Sequence, residues 1–164
     1  IRPKKLSDDY STTTDVIEHA YEWSEANLGN IEFICALYAT APFTSSSDIL
    51  NAYSEIKNNK NCQVVFPIVE FNFPIQRAIK LSDDGCLGMF QPDHLLTRSQ
   101  DLEKAYHDAG QFYWMKSKFI GSGVSPFSKI ARPIKIPHYR VQDIDTEDDW
   151  IRAELIFKSL LASN

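Results

Sequence analysis

Two aspartates near the end of the chain are the residues best suited to chemistry. Asp143 and Asp145 stand two positions apart, directly ahead of a predicted helix. In an extended strand such residues point to the same side, so both carboxylates would project together. Neighbouring carboxylates repel each other unless a cation or a basic group neutralises them. Oxygen ligands of this kind suit Mg²⁺ or Mn²⁺, particularly with substrate phosphates, although a solvated acidic turn is the alternative interpretation.

Two clusters that combine an arginine with an amide could bind an anionic ligand. One contains Gln76 and Arg77, and the other contains Arg98 and Gln100. Arginine pairs with carboxylates or phosphates, and amides bond to hydroxyls and carbonyls. An acidic, hydroxyl-rich ligand such as a sugar acid would suit both clusters. Surface salt bridges are the alternative interpretation.

Further candidates lie close to the second cluster. Gln111 and Tyr113 add an amide and an aromatic wall, unless this segment is a plain core strand. His107 beside Asp108 is a candidate acid–base group, although a structural role is favoured. The histidine spacing disfavours a zinc site, and the sequence contains no serine-hydrolase elbow, Walker loop or dinucleotide fingerprint.

The composition indicates one soluble globular domain. The chain has 164 residues, of which 43% are hydrophobic and 24% charged, as is ordinary for such a domain. Its net charge of −5 disfavours nucleic acid as a partner. No apolar run approaches the roughly 20 residues that span a bilayer. The three cysteines are far apart, which predicts free thiols in a reducing cytoplasm.

Hydrophobic patterns in the first half of the chain predict alternating helices and strands. A helix over residues 14–27, capped by Thr14 or a neighbouring threonine, precedes a continuous apolar strand at 31–39. A second helix is predicted at 48–56 and a second buried strand at 64–69. Continuous apolar strands separated by helices are typical of βαβ units in a parallel sheet.

The second half is predicted to be less regular. Residues 77–90 have the pattern of a β-hairpin, and the last helix is predicted at 147–162 with Thr146 as its N-cap. The segments between them are expected to be a polar irregular stretch at 91–108 with a helical turn near 102–106, a short strand at 111–114 and a strand at 134–139. Together these elements predict a doubly wound α/β core with an inserted hairpin.

Several blocks together resemble the CMP-sialate synthetase family of cytidylyltransferases, and its pseudaminic acid branch most of all. The resemblance covers essentially the whole chain, and the blocks that carry it are Arg2-Pro3 with Leu6-Ser7-Asp8, YATAPF (38–43), FPIQRA (73–78), RSQDL (98–102), YHDAGQFYW (106–114) and YRVQDIDT (139–146). The last two long blocks are specific in combination.

The resemblance implies a function and a fold. It implies an enzyme that transfers CMP from CTP to a nonulosonic acid, an acidic nine-carbon sugar, and releases pyrophosphate. It also implies a nucleotide-diphospho-sugar transferase-like sheet and a homodimer, in which an inserted region at 74–114 reaches the neighbouring subunit's sugar site. In this family Asp143 and Asp145 would be catalytic and hold Mg²⁺, and Arg2 and Ser11 would contact the nucleotide. Six residues would face the sugar: Gln76, Arg77, Arg98, Gln100, Gln111 and Tyr113.

Two departures from the family pattern affect this expectation. Tyr38 and Ala41 replace a glutamine and a serine that sialate enzymes carry, which favours a pseudaminate-type substrate. The family's opening strand and glycine-rich phosphate loop have no counterpart in this sequence. The single domain expected over residues 1–164 would therefore lack the first βαβ unit. A glycosyltransferase that uses Asp-x-Asp to hold a metal, and a catalytically inactive sugar-binding or dimerising fragment, are the alternatives.

Overall fold

The computed structural model describes residues 1–162, and these residues form a mixed sheet with helices on both faces. Residues 163 and 164, the end of the predicted domain, lie outside the described part. The helices are α1 (Thr13–Leu28), α2 (Ser46–Asn58) and α3 (Glu147–Ala162). The strands are β1 (Phe33–Leu37), β2 (Val64–Glu70), β3 (Ile79–Leu81), β4 (Leu87–Met89), β5 (Tyr106–Asp108), β6 (Phe112–Lys116) and β7 (Ala131–Lys135).

The central sheet is mixed, whereas the sequence predicted a parallel one. Strand β6 lies between β1 and β2 and is antiparallel to both, so β1 and β2 run in the same direction without pairing. β5 pairs with the end of β2 on the same edge, and β7 pairs parallel to β2 on the other edge. The prediction was wrong in this respect because a continuous apolar run reports burial on both faces, not the direction of the neighbouring strand.

Side chains alternate between two apolar layers along β2. Val65 packs with Ala52 and Ile56 of α2 on one face. Val64, the residue before Val65, points to the other face, where Ile17 of α1 packs. Successive strand residues point to opposite faces, so a strand with a helix layer on each side is apolar at every position. The observed layers explain the continuous apolar run at 64–69.

Two helices begin with capping boxes; the sequence predicted such a pattern for α3, and for α1 it predicted a cap by Thr14 or a neighbouring threonine, which is Thr12. The Thr12 hydroxyl accepts the Asp15 backbone N–H at 3.2 Å, and the Thr12 N–H donates to the Asp15 carboxylate. Thr146 and Asp149 make the same reciprocal pair ahead of α3. These bonds satisfy backbone N–H groups that have no partner inside the helix. The bounds predicted for α3 are confirmed.

The middle of the chain contains one confirmed element and two that were misplaced. The hairpin is formed by β3 and β4, and its turn contains Gly85 with φ +83°. The predicted helical turn at 102–106 is wrong, because β5 follows directly and pairs with β2. The strand predicted at 134–139 lies at Ala131–Lys135, where Pro133 is tolerated because β7 pairs only with β2. None of the helices within residues 1–162 is long and apolar enough to cross a membrane.

Candidate active site

The segment that carries Asp143 and Asp145 is irregular rather than extended in a strand. It connects a 3₁₀ turn at His138–Arg140 to α3, so the strand-end placement predicted from the sequence is wrong. One Asp143 carboxylate oxygen accepts the Ile144 N–H at 3.1 Å. Asp145 is exposed, and its backbone N–H donates to Asp149 Oδ2, in the first turn of α3, at 3.4 Å. The capping interactions of α3 therefore determine the backbone here.

An ion pair holds this segment against α2. Arg140 Nη2 lies 2.8 Å from Asp48 Oδ2, and the two side chains are only 22% and 12% exposed. Burial alone would raise the pKa of Asp48, but hydrogen bonds from Arg140 and Ser45 bring that pKa below its ordinary value. Gln111 Nε2 also donates to the Arg140 carbonyl at 2.7 Å. The segment is thus fixed to α2 and to the start of β6.

Two carboxylates flank Gly110 in the turn that precedes β6. Gly110 has φ +63°, and its N–H donates to Asp108 Oδ1 at 2.9 Å. Asp143 Oδ2 lies 3.5 Å from where a Cβ at position 110 would be. Burial raises the pKa of Asp108, and the nearby charge of Asp143 contributes in the same direction. Asp143 therefore meets Asp108 at this glycine.

The Asp108 carboxylate was not among the site residues predicted from the sequence. From the sequence, Asp108 is only the neighbour of a candidate acid–base group, His107. In the structure the His107 ring bonds to the Asp108 backbone carbonyl at 2.8 Å and packs on Phe71. This contact favours the structural role for His107. The available signal was an aspartate two residues before a glycine, which is typical of a side-chain-stabilised turn.

A cleft of about 540 Å³ opens between α1, β6 and the loop at 119–126. Thr13 and Ile17 line it from α1, and Tyr113 lines it from the sheet. The Tyr113 ring stacks on Phe66 with 5.1 Å between centroids, so its orientation is fixed from behind. The predicted aromatic wall is therefore part of a real concavity.

Tyr38 connects this cleft to the carboxylates. It lines the cleft, its ring lies 5.8 Å from that of Tyr113, and Thr13 of α1 lies near its hydroxyl. Burial raises the pKa of Tyr38, and the charges of Asp108 and Asp143 raise it further. The cleft and the acidic pair therefore belong to one neighbourhood.

The predicted sugar-binding residues fall into two groups. Gln111 and Tyr113 belong to the central neighbourhood described above. The others lie around the hairpin and make these contacts: Gln76 Nε2 to the Glu103 carbonyl at 2.9 Å, Arg77 Nη1 to Ser99 Oγ at 3.4 Å, and Arg98 Nε to Asp101 at 2.7 Å, with Gln100 exposed nearby. Within residues 1–162 no hydrogen bond or ion pair joins the two groups.

The predicted nucleotide contacts lie before α1. Arg2 is exposed and donates to Ser7 Oγ at 3.2 Å, and Ser11 Oγ donates to Asp8 at 2.8 Å. Ser11 is two residues ahead of Thr13, which reaches Tyr38. The structure thus places Ser11 close in sequence to the cleft, while the roles of Arg2 and Ser11 stay predictions.

The oxygen atoms around Gly110 fit a hard divalent cation. Neither Asp108 nor Asp143 has a lysine or arginine ion pair among the described residues, since Arg140 is engaged by Asp48. Gln111 is 3% exposed, and its Oε1 has no hydrogen-bond partner in the described structure. No group of three or more His, Cys, Asp or Glu side chains in residues 1–162 is arranged to hold a metal. Mg²⁺ is usually bound by one or two carboxylates with substrate phosphates, which this arrangement allows.

Comparison with known proteins identifies the family. No protein-family model matches the chain. Two pseudaminic acid cytidylyltransferases of Campylobacter jejuni, from serotypes O:2 and O:23/36, are each 37% identical over 164 residues, covering 96% of this chain and 68% of theirs. A Helicobacter pylori protein is 32% identical over 144 residues, which cover 88% of this chain and 27% of that protein. Its name is pseudaminic acid cytidylyltransferase and UDP-2,4-diacetamido-2,4,6-trideoxy-beta-L-altropyranose hydrolase. The resemblance noted in the sequence is thereby confirmed, and the chain belongs to the pseudaminic acid cytidylyltransferase family.

Proposed function

We propose that this protein transfers CMP from CTP to a nonulosonic acid of the pseudaminic acid type and releases pyrophosphate. The observation that carries this proposal is the 37% identity to the two Campylobacter jejuni enzymes along 96% of the chain. All three relatives are named as cytidylyltransferases, which favours this function over a glycosyltransferase. The finer fold assignment, a doubly wound sheet of the nucleotide-diphospho-sugar transferase type, is part of the proposal.

Asp143 and Asp145 are the proposed ligands of a divalent cation, Mg²⁺ or Mn²⁺. Both aspartates are exposed; Asp143 lies beside Gly110 and Asp108, whereas Asp145 lies just before α3 and would have to approach when substrate binds. A bound Mg²⁺ would supply Lewis-acid polarisation of the phosphate oxygens. The Arg140–Asp48 ion pair keeps the segment that carries both aspartates in place.

The chain's own contribution to the reaction is positioning. The sugar hydroxyl must attack the α-phosphorus in line with the departing pyrophosphate, so the two substrates have to be held in one orientation. Tyr38 and Tyr113 provide a cleft wall that shields one side of the site from water. Arg77 and Arg98 are exposed, and arginine suits the carboxylate of the sugar, for which Arg98 would exchange its present contact with Asp101.

The proposed partner is a second copy of the chain, bound through the hairpin. Ile79 pairs with Met89 and Leu81 with Leu87, which puts four apolar side chains on one face. Leu81 and Leu87 are 71% and 70% exposed. The total accessible surface of 11746 Å² exceeds the roughly 8,000 Å² expected for a compact monomer of this mass. A surface of this kind suits a dimerisation arm.

Pyrophosphate release tests the proposed activity. The protein is incubated with CTP, Mg²⁺ and pseudaminic acid, and N-acetylneuraminic acid replaces the sugar in a parallel series. We expect faster release with pseudaminic acid, and a loss of activity in Asp143→Asn but not in the exposed control Asp9→Asn. No release with either sugar, together with calorimetric binding of sugar but not of CTP, would instead support the inactive sugar-binding module.

The oligomeric state tests the proposed dimer. Leu81→Asp should convert a dimer into a monomer in size-exclusion chromatography with light scattering, because it places a charge on the apolar hairpin face. Leu50→Asp is the matched control, since Leu50 is 62% exposed on α2, away from the hairpin in sequence. A wild-type protein that is monomeric at high concentration would exclude this partner.

A further inference from the structure

We propose that Asp108 acts together with Asp143 in holding the divalent cation, so that carboxylates from two distant parts of the chain bind the ion across Gly110. This inference rests on the proposed metal-dependent function and adds a ligand to it. Asp108 ends β5, and Asp143 lies in the irregular segment before α3. The fold alone brings them to the same glycine.

The positions of the two carboxylates relative to Gly110 support a shared cation. Asp108 Oδ1 accepts the Gly110 N–H at 2.9 Å, and Asp143 Oδ2 lies 3.5 Å from the Cβ position of the same residue. Each carboxylate has two oxygens, so the single backbone bond leaves Asp108 with a free oxygen for a cation. The positive φ of Gly110 makes this tight turn possible.

The charges at this place are unbalanced without a cation. Asp108 is half-buried, whereas Asp143 is exposed beside Gly110, and neither has a lysine or arginine ion pair within residues 1–162. The nearest arginine in sequence, Arg140, is committed to Asp48 at 2.8 Å. Like charges held together without a counter-charge are costly, and such costs persist mainly where a ligand offsets them.

A second observation near the pair points in the same direction. Gln111 directly follows Gly110 and is 3% exposed, yet its Oε1 has no partner among the described residues. A buried amide oxygen without a partner is costly, and a cation or its bound water would relieve that cost if it lay within hydrogen-bond or coordination distance of Oε1. Amide and carboxylate oxygens are the donor types that Mg²⁺ prefers.

The variant Asp108→Asn tests the charge separately from the turn. An asparagine Oδ1 can still accept the Gly110 N–H, so the local backbone should persist while the charge is lost. Asp108→Ser is a second neutral variant that also keeps an acceptor. Asp84→Asn is the matched control, because the Asp84 carboxylate accepts the Cys86 N–H in the same i to i+2 arrangement on the hairpin.

The measurement is Mn²⁺ binding by electron paramagnetic resonance, with Mn²⁺ alone and with CTP added. We expect Asp108→Asn to weaken binding by about 10–100-fold, similar to Asp143→Asn and comparable to the loss of groups that support metal ligands elsewhere. Asp84→Asn should bind as the wild type does. Circular dichroism of each variant confirms that the fold is retained.

The outcomes separate this inference from the proposed function. If Asp143→Asn loses Mn²⁺ while both Asp108 variants bind it normally, the role of Asp108 is refuted and the metal-dependent function stands. If the wild type binds no Mn²⁺ with or without CTP, both proposals fail. Parallel losses in the Asp108 and Asp143 variants support a shared ion.

Discussion

Replacing Arg140 with methionine should destabilise the protein strongly. The substitution removes the guanidinium that lies 2.8 Å from Asp48 but keeps much of the aliphatic side chain. The Asp48 carboxylate, whose side chain is 12% exposed in the wild type, would keep only the hydrogen bond that the Ser45 hydroxyl donates to it. An uncompensated buried carboxylate is among the few single changes that cost several kcal/mol.

The magnitude follows from the distance and the burial. At 2.8 Å the direct attraction is about 6 kcal/mol for an effective dielectric constant of about 20. Desolvation of both groups offsets part of it, and breaking a fully buried pair costs about 3–5 kcal/mol. Because Arg140 is 22% exposed and water can reach the site, we expect a loss of about 2–4 kcal/mol.

Urea denaturation of a double-mutant cycle measures this interaction. The cycle comprises wild type, Arg140→Met, Asp48→Asn and the double variant, all at pH 7. We expect a coupling free energy of about 1–3 kcal/mol, as for other contacting charged residues. Arg140→Lys should recover only part of the stability, because a lysine cannot reproduce the planar guanidinium contact. A coupling below about 0.5 kcal/mol would refute the reasoning, since that is the scale of exposed pairs.

The pH dependence provides an independent check. The folded-state pKa of Asp48 is below its ordinary value, so its stabilising contribution is present above the unfolded pKa of about 3.9. It is lost as the pH falls through the lower, folded-state pKa. In Arg140→Met the burial of Asp48 acts without the guanidinium, which raises the pKa of this carboxyl in the variant. The stability difference from wild type should therefore be constant near neutral pH and narrow towards acid pH, where the variant's Asp48 takes up a proton. A difference that changes between pH 6 and 8 would indicate another titrating group.

Three further predictions concern local structure. Gly110→Ala should cost about 1–2 kcal/mol in urea denaturation because position 110 has φ +63°, and an unchanged midpoint would contradict the observed turn. Thr146→Ala should cost about 0.5–2 kcal/mol through loss of the α3 cap, whereas Thr146→Ser should not, and equal losses in both would argue against the capping bond. In the folded protein at pH 8, Cys86 should react rapidly with a thiol reagent because it is exposed. Cys35 and Cys62 should react slowly, because burial raises the pKa of Cys35 to about 11 and also raises the pKa of Cys62. Rapid reaction of all three thiols before urea is added would contradict that burial.

Sequence patterns predicted the elements whose signals are local. The capping residues of α1 and α3, the glycine turn of the hairpin and the two continuous apolar strands are each encoded within a few residues. Helix caps and turns depend on backbone groups two to four positions away, so the sequence alone is sufficient for them. The free, buried state of Cys62 was also predicted, while Cys35 is only half-buried.

The order and direction of the paired strands could not be predicted from local sequence patterns. The insertion of β6 between β1 and β2, antiparallel to both, depends on which apolar edges meet after the chain has collapsed. A strand's own side chains look the same beside a parallel or an antiparallel neighbour when both faces are buried. The displacement of the last strand to Ala131–Lys135 has the same origin, because pairing with β2 selected its register.

Some features of the candidate site were predictable from local sequence patterns, whereas others depend on how distant segments pack. Blocks of residues were sufficient to predict the family, which the Campylobacter jejuni relatives confirm, and the sequence pattern also indicated Asp143 as an acidic residue ahead of a helix. The approach of Asp143 and Asp108 to the same glycine, Gly110, and the ion pair between Arg140 and Asp48 became apparent from the folded structure alone. Electrostatic interactions act over a few ångströms in space, and residues far apart in sequence reach such distances only once the sheet and its helices have packed.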